Sequence, residues 1–516
     1  MPTNRIIQPL PFKGGWDTSL GPQAAEVTHL LRAENVYYEL DGGVRKMPGA
    51  DNLNATQLTE GGVAVTVMSL FDFWKSGTAG TPVQKHMAYA GTKILKEDLD
   101  GVFDTLTTGL EADKPSSFTS MNDIAIWSST SNTDVPQSWD QSAGSTSTLA
   151  GSPPNFAFAV PHRNRMWAAG VASNPSRLYY SVLDSAADWT GAGSGSIDID
   201  INDGDNITGL ASHKQRLWVF KGPNTGSISY ITGSAPTGTD AYARVPFNRG
   251  VPCVAHQTVV TYLNDVAFLS NRGLHSLTAT EAFGDLKEGF LSFPIQSIFT
   301  DELAVANLNL SHGVNHRGRG LLMWSVRQSG QSQNNWVTAM DYRFQPGRFS
   351  LMTPYKAASL AVMLNASKPT LYSGGYDGYV LQHDQSNRNI MDVAYTAKVQ
   401  LPFLHHKAPD LMKMSAWLRV GIVPQGDSDI TVQWQNDENE VVSGTVSQSS
   451  GAVLGGTTGF TLDTDTLGGA NYVQRYLELP GSYKTQQLTF SQAGLNEDME
   501  IHEVAVQLEP SGMEEI

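Results

Sequence analysis

Two groups of residues in the sequence have types and spacings that could bind a metal ion. The first is His312 and His316, four residues apart, but the HExxH pattern of zinc enzymes is missing and no acidic ligand is patterned around the pair. The intervening Gly-Val-Asn and the following Arg-Gly-Arg-Gly indicate a loop rather than a helix. The pattern therefore favours two unrelated histidines over a metal site.

The second group is the acidic run SIDIDINDGDN at 196–206. Its isoleucines alternate with acidic and amide residues, which is typical of a half-buried strand with one face in water. The glycine is one position too late for an EF-hand loop, and the terminal glutamate is missing. We therefore expect Asp203, Asp205 and Asn206 to build the turn into the next strand, with calcium binding as the weaker alternative.

Catalytic signatures are missing from the sequence. It contains no nucleophile elbow, Walker loop or dinucleotide-binding glycine fingerprint, and YYSVLDSAADWT at 179–190 lacks the spacing and the glycine of a sialidase Asp-box. Carboxylates are plentiful, but no pair stands out as the acid and nucleophile of a glycosidase. Cys253, the single cysteine, has largely apolar neighbours, so we expect a buried thiol. We predict no enzymatic activity, and no catalytic, metal or cofactor site.

The elements that would position any site form a repeat. Between about residues 62 and 385, a polar turn, a bulky apolar strand, a Gly/Asn/Ser turn and another strand recur. The spacing of about 36 to 56 residues is close to that of four-stranded propeller blades. The aligned strands are HMAYAG (86–91), NDIAIWSS (122–129), NRMWAAG (164–170), QRLWVFKG (215–222), NDVAFLSN (264–271), GLLMWSV (320–326) and TLYSGG (370–375).

One such sheet cannot bury both of its faces alone, so its large side chains must pack between neighbouring sheets. These side chains are Trp127, Trp167, Trp218, Phe268 and Trp324. We predict an all-β protein built around a β-propeller of about six to eight blades, with a solenoid as the rival fold. The segment 281–307 has near-helical apolar spacing and predicts a short helix after Pro294, inserted between blades.

The two ends of the chain lack the repeat. The N-terminal end contains one hairpin with a turn at 41–43, and the C-terminal end contains six longer strands of alternating polarity, which indicate a β-sandwich. We expect an N-terminal platform segment (1–60), a β-propeller (61–393) and a C-terminal sandwich (394–516) that completes the platform.

The chain is acidic: 34 Lys and Arg residues stand against 50 Asp and Glu residues, which gives a formal net charge of −16. This balance argues against a sequence-independent DNA clamp, because such clamps neutralise phosphates with basic side chains, and it leaves a local basic patch open as the alternative. The sequence predicts no membrane-spanning helix, and its start lacks the apolar core of a signal peptide.

Three stretches of the sequence carry a family resemblance. They are PFKGGWDTSLGP…LRAENVYYELDGGVRKMPGADNL near the start, HRNRMWAAGVASNPSRLYYSVLDSAADWT…ITGLASHKQRLWVFKG in the repeat, and AWLRVGIVPQGDSDITVQW…EIHEVAVQLEP near the end. Together they resemble the tail nozzle proteins of short-tailed bacteriophages, also called tail tubular protein B or packaged-DNA stabilisation proteins. The resemblance lies in β motifs and includes no catalytic residue.

The resemblance implies a homo-hexameric ring below the head–tail adaptor protein of a virion that is assembled in the host cytoplasm. The ring would retain the packaged genomic double-stranded DNA and release it through a central lumen during infection, without sequence-specific binding. Tail fibre or tail spike proteins and the host outer surface would be its other partners. Acidic subunits would repel the duplex from the lumen wall, and we expect the loop Asp198–Asp205 to face that lumen.

Two other functions stay open at this point. A virion propeller that binds or cleaves host surface carbohydrate would need clustered Trp, Tyr and carboxylate side chains around the propeller's mouth. A free cytoplasmic propeller that acts as an interaction scaffold would form no sixfold ring.

Overall fold

The structure is a computed structural model, and it describes residues 6–77, 80–131, 133–283, 290–426, 428–437, 440–449, 472–479 and 481–510. The chain forms two compact units. We call Met1–Asp51, Ala339–Pro354 and Asp384–Ile516 the terminal unit, because it combines both end segments. Asn52–Thr338 and Tyr355–His383 form the propeller unit.

The N-terminal segment consists of short strands. They are β1 (Ile6–Pro9), β2 (Gly15–Trp16), β3 (His29–Leu30), β4 (Arg32–Glu34), β5 (Val36–Tyr38), β6 (Val44–Lys46) and β7 (Gly49–Asn52). β5 and β6 pair in antiparallel fashion around the turn at 41–43, so the predicted hairpin is confirmed. The Gly43 N–H stabilises this turn by donating to Asp41 Oδ1 over 3.1 Å.

The propeller unit begins with a small hairpin, β8 (Thr59–Glu60) and β9 (Val63–Ala64), followed by four antiparallel sheets of four strands each. Blade 1 contains β10 (Val67–Lys75), β11 (Val83–Ala90), β12 (Lys93–Glu97) and β13 (Phe103–Thr107), and blade 2 contains β14 (Ser116–Met121), β15 (Ile124–Ser129), β16 (Gln137–Trp139) and β17 (Ser147–Thr148). Blade 3 contains β18 (Phe158–His162), β19 (Arg165–Ala169), β20 (Arg177–Tyr180) and β21 (Gly195–Asp198), and blade 4 contains β22 (Asn206–His213), β23 (Arg216–Gly222), β24 (Ser227–Thr232) and β25 (Ala243–Arg249). Each blade is a meander, because its strands pair in chain order.

A smaller sheet follows, formed by β26 (Val260–Tyr262), β27 (Asp265–Leu269) and β28 (Leu274–Ser276), and then the helix α1 (Leu277–Phe283). Helical structure after Pro294 is confirmed, but as separate turns at Phe293–Ile295, Ile298–Glu302 and Val305–Leu310. Residues 284–289 of the predicted helical segment lie outside the described residues. In the part of the chain that the structure describes, no helix has the length and apolar character needed to cross a membrane.

Two further blades complete the ring. Blade 5 contains β29 (His312–His316), β30 (Leu321–Val326) and β31 (Trp336–Asp341). The next strand, β32 (Arg348–Met352), belongs to the terminal unit. Blade 6 follows it and contains β33 (Ser359–Asn365), β34 (Lys368–Gly374) and β35 (Val380–Gln385). Within the described residues the unit therefore has six blades and one smaller sheet, and the predicted propeller of about six to eight blades is confirmed. The predicted apolar strands are the second strands, such as β11, β15 and β23.

Buried side chains fill the space between neighbouring sheets. Trp127 joins the core of blades 1 and 2, and Trp167 joins the core of blades 3 and 4. Trp218 and Phe268 share the core between blade 4 and the smaller sheet. With Trp324, all five predicted core residues are buried, so the prediction from their spacing is correct.

The ring closes between blades 1 and 6. The Ser359 hydroxyl donates to the Val67 carbonyl oxygen over 2.8 Å, and the Leu364 N–H donates to Asp72 Oδ2 over 2.9 Å. Val67, Leu70 and Ala90 of blade 1 also pack in one apolar cluster with Met363 and Tyr372 of blade 6. Blade 1 is therefore packed against blade 6 on this side, which is the contact that closure of a propeller requires.

The terminal unit has its own core between two sheets. Its remaining strands are β36 (Asn389–Ile390), β37 (Val393–Ala394), β38 (Ala397–Gln400), β39 (Lys413–Ile422), β40 (Asp429–Asn436), β41 (Val441–Ser447), β42 (Val473–Glu478), β43 (Ser482–Tyr483), β44 (Gln486–Gln492) and β45 (Glu500–Pro510). One sheet runs in the order β42-β39-β45-β6-β5, with β1 also paired to β45, and the other contains β32-β4-β38-β44-β40-β41. N-terminal strands therefore belong to both sheets of the predicted C-terminal sandwich, and the use of this unit as a ring platform stays a prediction.

Replacing Trp324 by Ala should destabilise the propeller unit. The indole is fully buried, donates from Nε1 to the Thr258 carbonyl oxygen over 3.0 Å, and packs against Gly313, where no side chain would fit. We expect a loss of about 3–5 kcal/mol in the free energy of unfolding, measured by chemical denaturation. Trp74→Ala, at a residue that is 39% exposed, is the matched control; equal losses in both variants would contradict the packing described here.

Candidate functional site

A cavity of about 870 Å³ opens in the propeller unit where the inner strands of blades 2, 3 and 4 begin. We call it the mouth cavity. Pro115, Phe158 and Asn206 mark the starts of these strands, and the helical turns at 256–258 and 305–310 complete its wall. The turn at 256–258 is held by Thr258, whose hydroxyl and N–H both donate to the Ala255 carbonyl oxygen, over 2.7 and 3.2 Å.

The polar side chains of the mouth cavity are mostly neutral. Amides dominate its wall: Asn206, Asn224, Gln257, Asn271 and Asn309. Among the described lining residues, Asp113 is the single carboxylate and Lys114 the single amine, and Lys114 pairs with Glu111 over 2.6 Å. The cavity is therefore suited to donating and accepting hydrogen bonds without binding a charged group.

His256 is the titratable ring of the mouth cavity. It stacks on Phe158 with ring centroids 4.6 Å apart, and its Nδ1 accepts a hydrogen bond from the Leu210 N–H over 3.3 Å. Burial lowers the pKa of His256 to about 4, so the ring is neutral near pH 7. Because Nδ1 is the acceptor, the proton lies on Nε2, and the ring offers a neutral donor.

Gln257 joins the wall of the mouth cavity to blade 2. Its Nε2 donates to the Ser116 carbonyl oxygen over 3.2 Å, which connects the turn before the smaller sheet to the inner strand of blade 2. A separate void of about 10 Å³ is lined by Gln257, Ser116 and His312, and its volume is at the lower limit of what one water molecule occupies.

The acidic run at 196–206 is organised around an internal lysine. Lys221 Nζ is almost fully buried and donates to Asp203 Oδ1 over 2.7 Å and to the carbonyl oxygens of Ile199 and Asp200 over 3.0 and 2.7 Å. Its fourth acceptor is the Ser176 hydroxyl at 3.1 Å. The ammonium group thus takes the position that a metal ion would take among these oxygens.

The other carboxylates of the run also have partners. Asp198 pairs with Arg177 over 2.6 Å, and Asp200 pairs with Arg244. Asp203 Oδ1 accepts the Asp205 N–H over 3.1 Å in the turn that leads into β22, as predicted. The buried Asp205 carboxylate accepts the N–H groups of residues 224, 225 and 226 and so stabilises the turn between β23 and β24 instead. Within the described residues, no group of three His, Cys, Asp or Glu side chains has the arrangement of a metal site.

His312 and His316 lie on a strand, so the prediction of a loop is wrong. They are the first and last residues of β29, which pairs with the apolar β30 over its whole length. The glycine and arginine residues that suggested a loop form the turn that follows, at 317–320. Four residues along a strand separate the two rings by about 13 Å, too far to share one metal ion.

Cys253 is fully buried, as expected. Its Sγ lies 3.6 Å from the Ala255 carbonyl oxygen, and burial raises the pKa of the thiol to about 12. The thiolate, which is the nucleophilic form, is therefore not populated near pH 7. Cys253 acts as a small apolar residue in the core between blade 4 and the smaller sheet.

The terminal unit carries an exposed aromatic sheet face. The strand β45 lies between β39 and β1, and its Gln507 pairs with Trp417 on one side and with Ile7 on the other. Because directly paired side chains lie on the same face of a sheet, Trp417 and Ile7 share one face. Tyr476 on β42 pairs with Arg419, two residues from Trp417 on the same strand. Ile7, Trp417 and Tyr476 are 60%, 41% and 61% exposed.

Tyr472 extends the aromatic face at its other end. Its hydroxyl donates to Glu503 Oε2 over 2.9 Å, and its ring lies over Gly421, where any side chain would collide with the hydroxyl. Arg419 pairs with the same glutamate. The sequence places Trp417 in a predicted strand without revealing this face, because exposure depends on which neighbouring strands the sheet contains.

Comparisons with known proteins give no family for this chain. No family model matches it, and no curated protein is similar at a significant level. Solved structures with a similar chain path include the N-terminal domain of Nup159, at 10% identity and a TM-score of 0.35 over 68% of this chain and 98% of that one. A gluconolactonase from Xanthomonas campestris matches at 12% identity and a TM-score of 0.29, over 66% of this chain and 98% of that one.

An ancestral GH74 enzyme matches at 10% identity and a TM-score of 0.41 over 65% of this chain, which spans 51% of that enzyme's length. At such identities and TM-scores, these similarities support no functional assignment. The propeller fold rests on the sheet topology described above.

Replacing Lys221 by Met should destabilise the protein, because the buried carbonyl oxygens and Asp203 lose their donor. We expect a loss of about 3 kcal/mol in the free energy of unfolding. Lys356→Met, at an exposed lysine of the same unit, is the control and should change the free energy of unfolding little.

Calcium chloride should leave the Tm of the unmodified protein unchanged, because the ammonium group of Lys221 occupies the oxygen cluster. A rise in Tm that depends on calcium would contradict this expectation.

Replacing His275 by Phe should stabilise the protein. Neither ring nitrogen has a partner, Phe268 and Phe290 contact the ring at 5.6 and 4.3 Å, and burial lowers the pKa of His275 to about 3. The unfolded chain takes up a proton near pH 6.5 and the folded chain does not, so this residue destabilises the fold as pH falls below about 6.5. We expect the substitution to raise the free energy of unfolding by about 1 kcal/mol at pH 7, and by about 2 kcal/mol more than that at pH 5, measured by urea denaturation. An equal gain at both pH values would contradict the burial of a neutral imidazole.

Proposed function

We propose that the protein is a structural component of a virion, the tail nozzle of a short-tailed bacteriophage, and not an enzyme. In this proposal six copies form a ring through their terminal units, below the head–tail adaptor protein. The packaged double-stranded DNA passes through the ring at infection, and tail fibres or spikes bind outside it. The proposal combines the family resemblance of the sequence with the aromatic sheet face of the terminal unit.

The aromatic sheet face is the observation that carries the proposal. Trp, Tyr, Met and Arg are enriched in protein–protein interfaces, and the face contains Trp417, Tyr476, Met414 and Arg419. Met414 and Trp417 are 48% and 41% exposed in the single chain, although large apolar side chains are normally covered. The face joins strands from both ends of the sequence, as a platform for assembly would.

The charge of the chain supports passage of DNA without retention. A net charge of −16 per subunit gives a sixfold ring that repels the duplex, whereas bound phosphates would slow its exit. The loop Asp198–Asp205 contributes little to this repulsion, because Arg177, Arg244 and Lys221 neutralise three of its carboxylates. A lumen wall formed by this loop stays a prediction from the sequence.

Ring assembly tests the proposal. We expect the protein alone to be monomeric or weakly associated in light scattering, and to form sixfold rings in negative-stain micrographs when the head–tail adaptor protein from the same genome is added. Trp417→Lys should prevent ring formation, because a central aromatic in an interface contributes about 2 kcal/mol or more.

Leu40→Lys is the matched control, since Leu40 is 70% exposed in the terminal unit but lies outside the aromatic face. It should leave ring formation unchanged. Rings that form equally well with Trp417→Lys would contradict the assignment of the face, and the absence of sixfold rings with the adaptor would contradict the proposed function.

A further inference from the structure

We propose that the mouth cavity of the propeller unit binds a neutral saccharide. This inference goes beyond the proposed tail function and does not depend on it, because it concerns a pocket within one propeller. The observations that carry it are the size of the cavity and the chemistry of its wall.

The volume of about 870 Å³ lies in the range of small-molecule sites. Phe158 and Val171 contribute apolar atoms to the wall, although both side chains are largely buried. The wall supplies the exposed amides of Asn206 and Asn309 and the Nε2 donor of His256. Sugar hydroxyls both donate and accept hydrogen bonds, so an amide can satisfy two of them at once.

One amide beside the mouth cavity lacks a partner. Asn271 Oδ1 is buried and accepts no hydrogen bond from the protein. Leaving a buried acceptor unpaired is costly, and such groups in native proteins have a specific cause. Because this oxygen is inaccessible to a water molecule, a ligand hydroxyl reaches it only when the Asn271 side chain turns toward the cavity.

The charge of the wall selects neutral ligands over charged ones. Asp113 and Lys114 have opposite signs at adjacent positions, and no arginine lines the described part of the cavity. A uronic acid or a phosphosugar would therefore bring a charge without a partner, which costs binding free energy.

The same wall indicates binding rather than cleavage. Glycoside hydrolysis normally uses two carboxyl groups, about 5–10 Å apart. The described lining contains Asp113 alone. Of the two carbohydrate functions that the sequence leaves open, the cavity thus supports binding. The clustered Trp and Tyr side chains expected for such a mouth are not among its described lining residues.

Saturation-transfer difference NMR on the full chain tests the proposal. The probes are glucose, galactose, mannose, N-acetylglucosamine, maltose and lactose at millimolar concentration, with glucuronic acid and glucose 6-phosphate as charged comparisons. We expect at least one neutral sugar to bind and the charged sugars to bind more weakly. Because the pKa of His256 is about 4, binding should be constant between pH 5.5 and pH 8.

Asn206→Ala and Asn309→Ala should each weaken binding by roughly three- to tenfold, the loss of one hydrogen bond. Asn307→Ala is the matched control, because Asn307 lies on the same helical turn as Asn309 but does not line the cavity. Thermal melts should show that all three variants are folded. No binding of any neutral sugar, or variants Asn206→Ala and Asn309→Ala that bind as tightly as the unmodified protein, would overturn the inference. Ring formation with the adaptor protein is a separate measurement, so failure of either proposal is distinguishable.

Discussion

The fold of the propeller unit depends on closing its ring. Blades 1 and 6 are almost 300 residues apart in sequence, and they meet through Ser359, Leu364 and Asp72. Asp72 is central to this junction, since it accepts both the Leu364 N–H and a Gln84 Nε2 hydrogen, and Gln84 Nε2 also lies 2.7 Å from the Leu364 carbonyl oxygen. Each blade buries both of its faces only when a neighbouring blade is present on each side. The closed ring supplies both neighbours for every blade, and the buried tryptophans pack in the cores between them.

Much of this architecture can be predicted from the sequence, because the second strand of each blade is buried on both faces. A segment such as QRLWVFKG must then be apolar almost throughout, and it recurs as β23 in blade 4 and as its equivalents elsewhere. The alternating strands of the sandwich are equally visible, as in DITVQWQN of β40. β41 is missed because its outward face carries small polar residues with little alternation. His312 and His316 show the opposite failure, since glycine-rich flanks hide a strand whose partner is the apolar β30.

The mouth cavity and the aromatic face could not be predicted in this way. Asn206 begins the inner strand of blade 4, whereas Gln257 and Asn309 lie in the helical turns at 256–258 and 305–310, and the sequence has no local pattern that brings them together. The role of Lys221 could not be predicted either. The sequence places it in an apolar strand, β23, whereas the structure shows that its ammonium group supplies the positive charge for the acidic run. The ammonium group of Lys221 is covalently attached to the chain and, unlike a bound metal ion, cannot diffuse away. We therefore expect the turn at 199–203 to keep this counter-ion at any calcium concentration.

Gln257 links the wall of the mouth cavity to a neighbouring blade. Its side chain lines the cavity, and its Nε2 donates to the Ser116 carbonyl oxygen, so the turn at 256–258 and the inner strand of blade 2 are held together by this amide. The shape of the cavity therefore depends on the packing of sheets that are distant in sequence, and a loss of the Gln257 amide would disturb the cavity and the contact between those sheets at the same time.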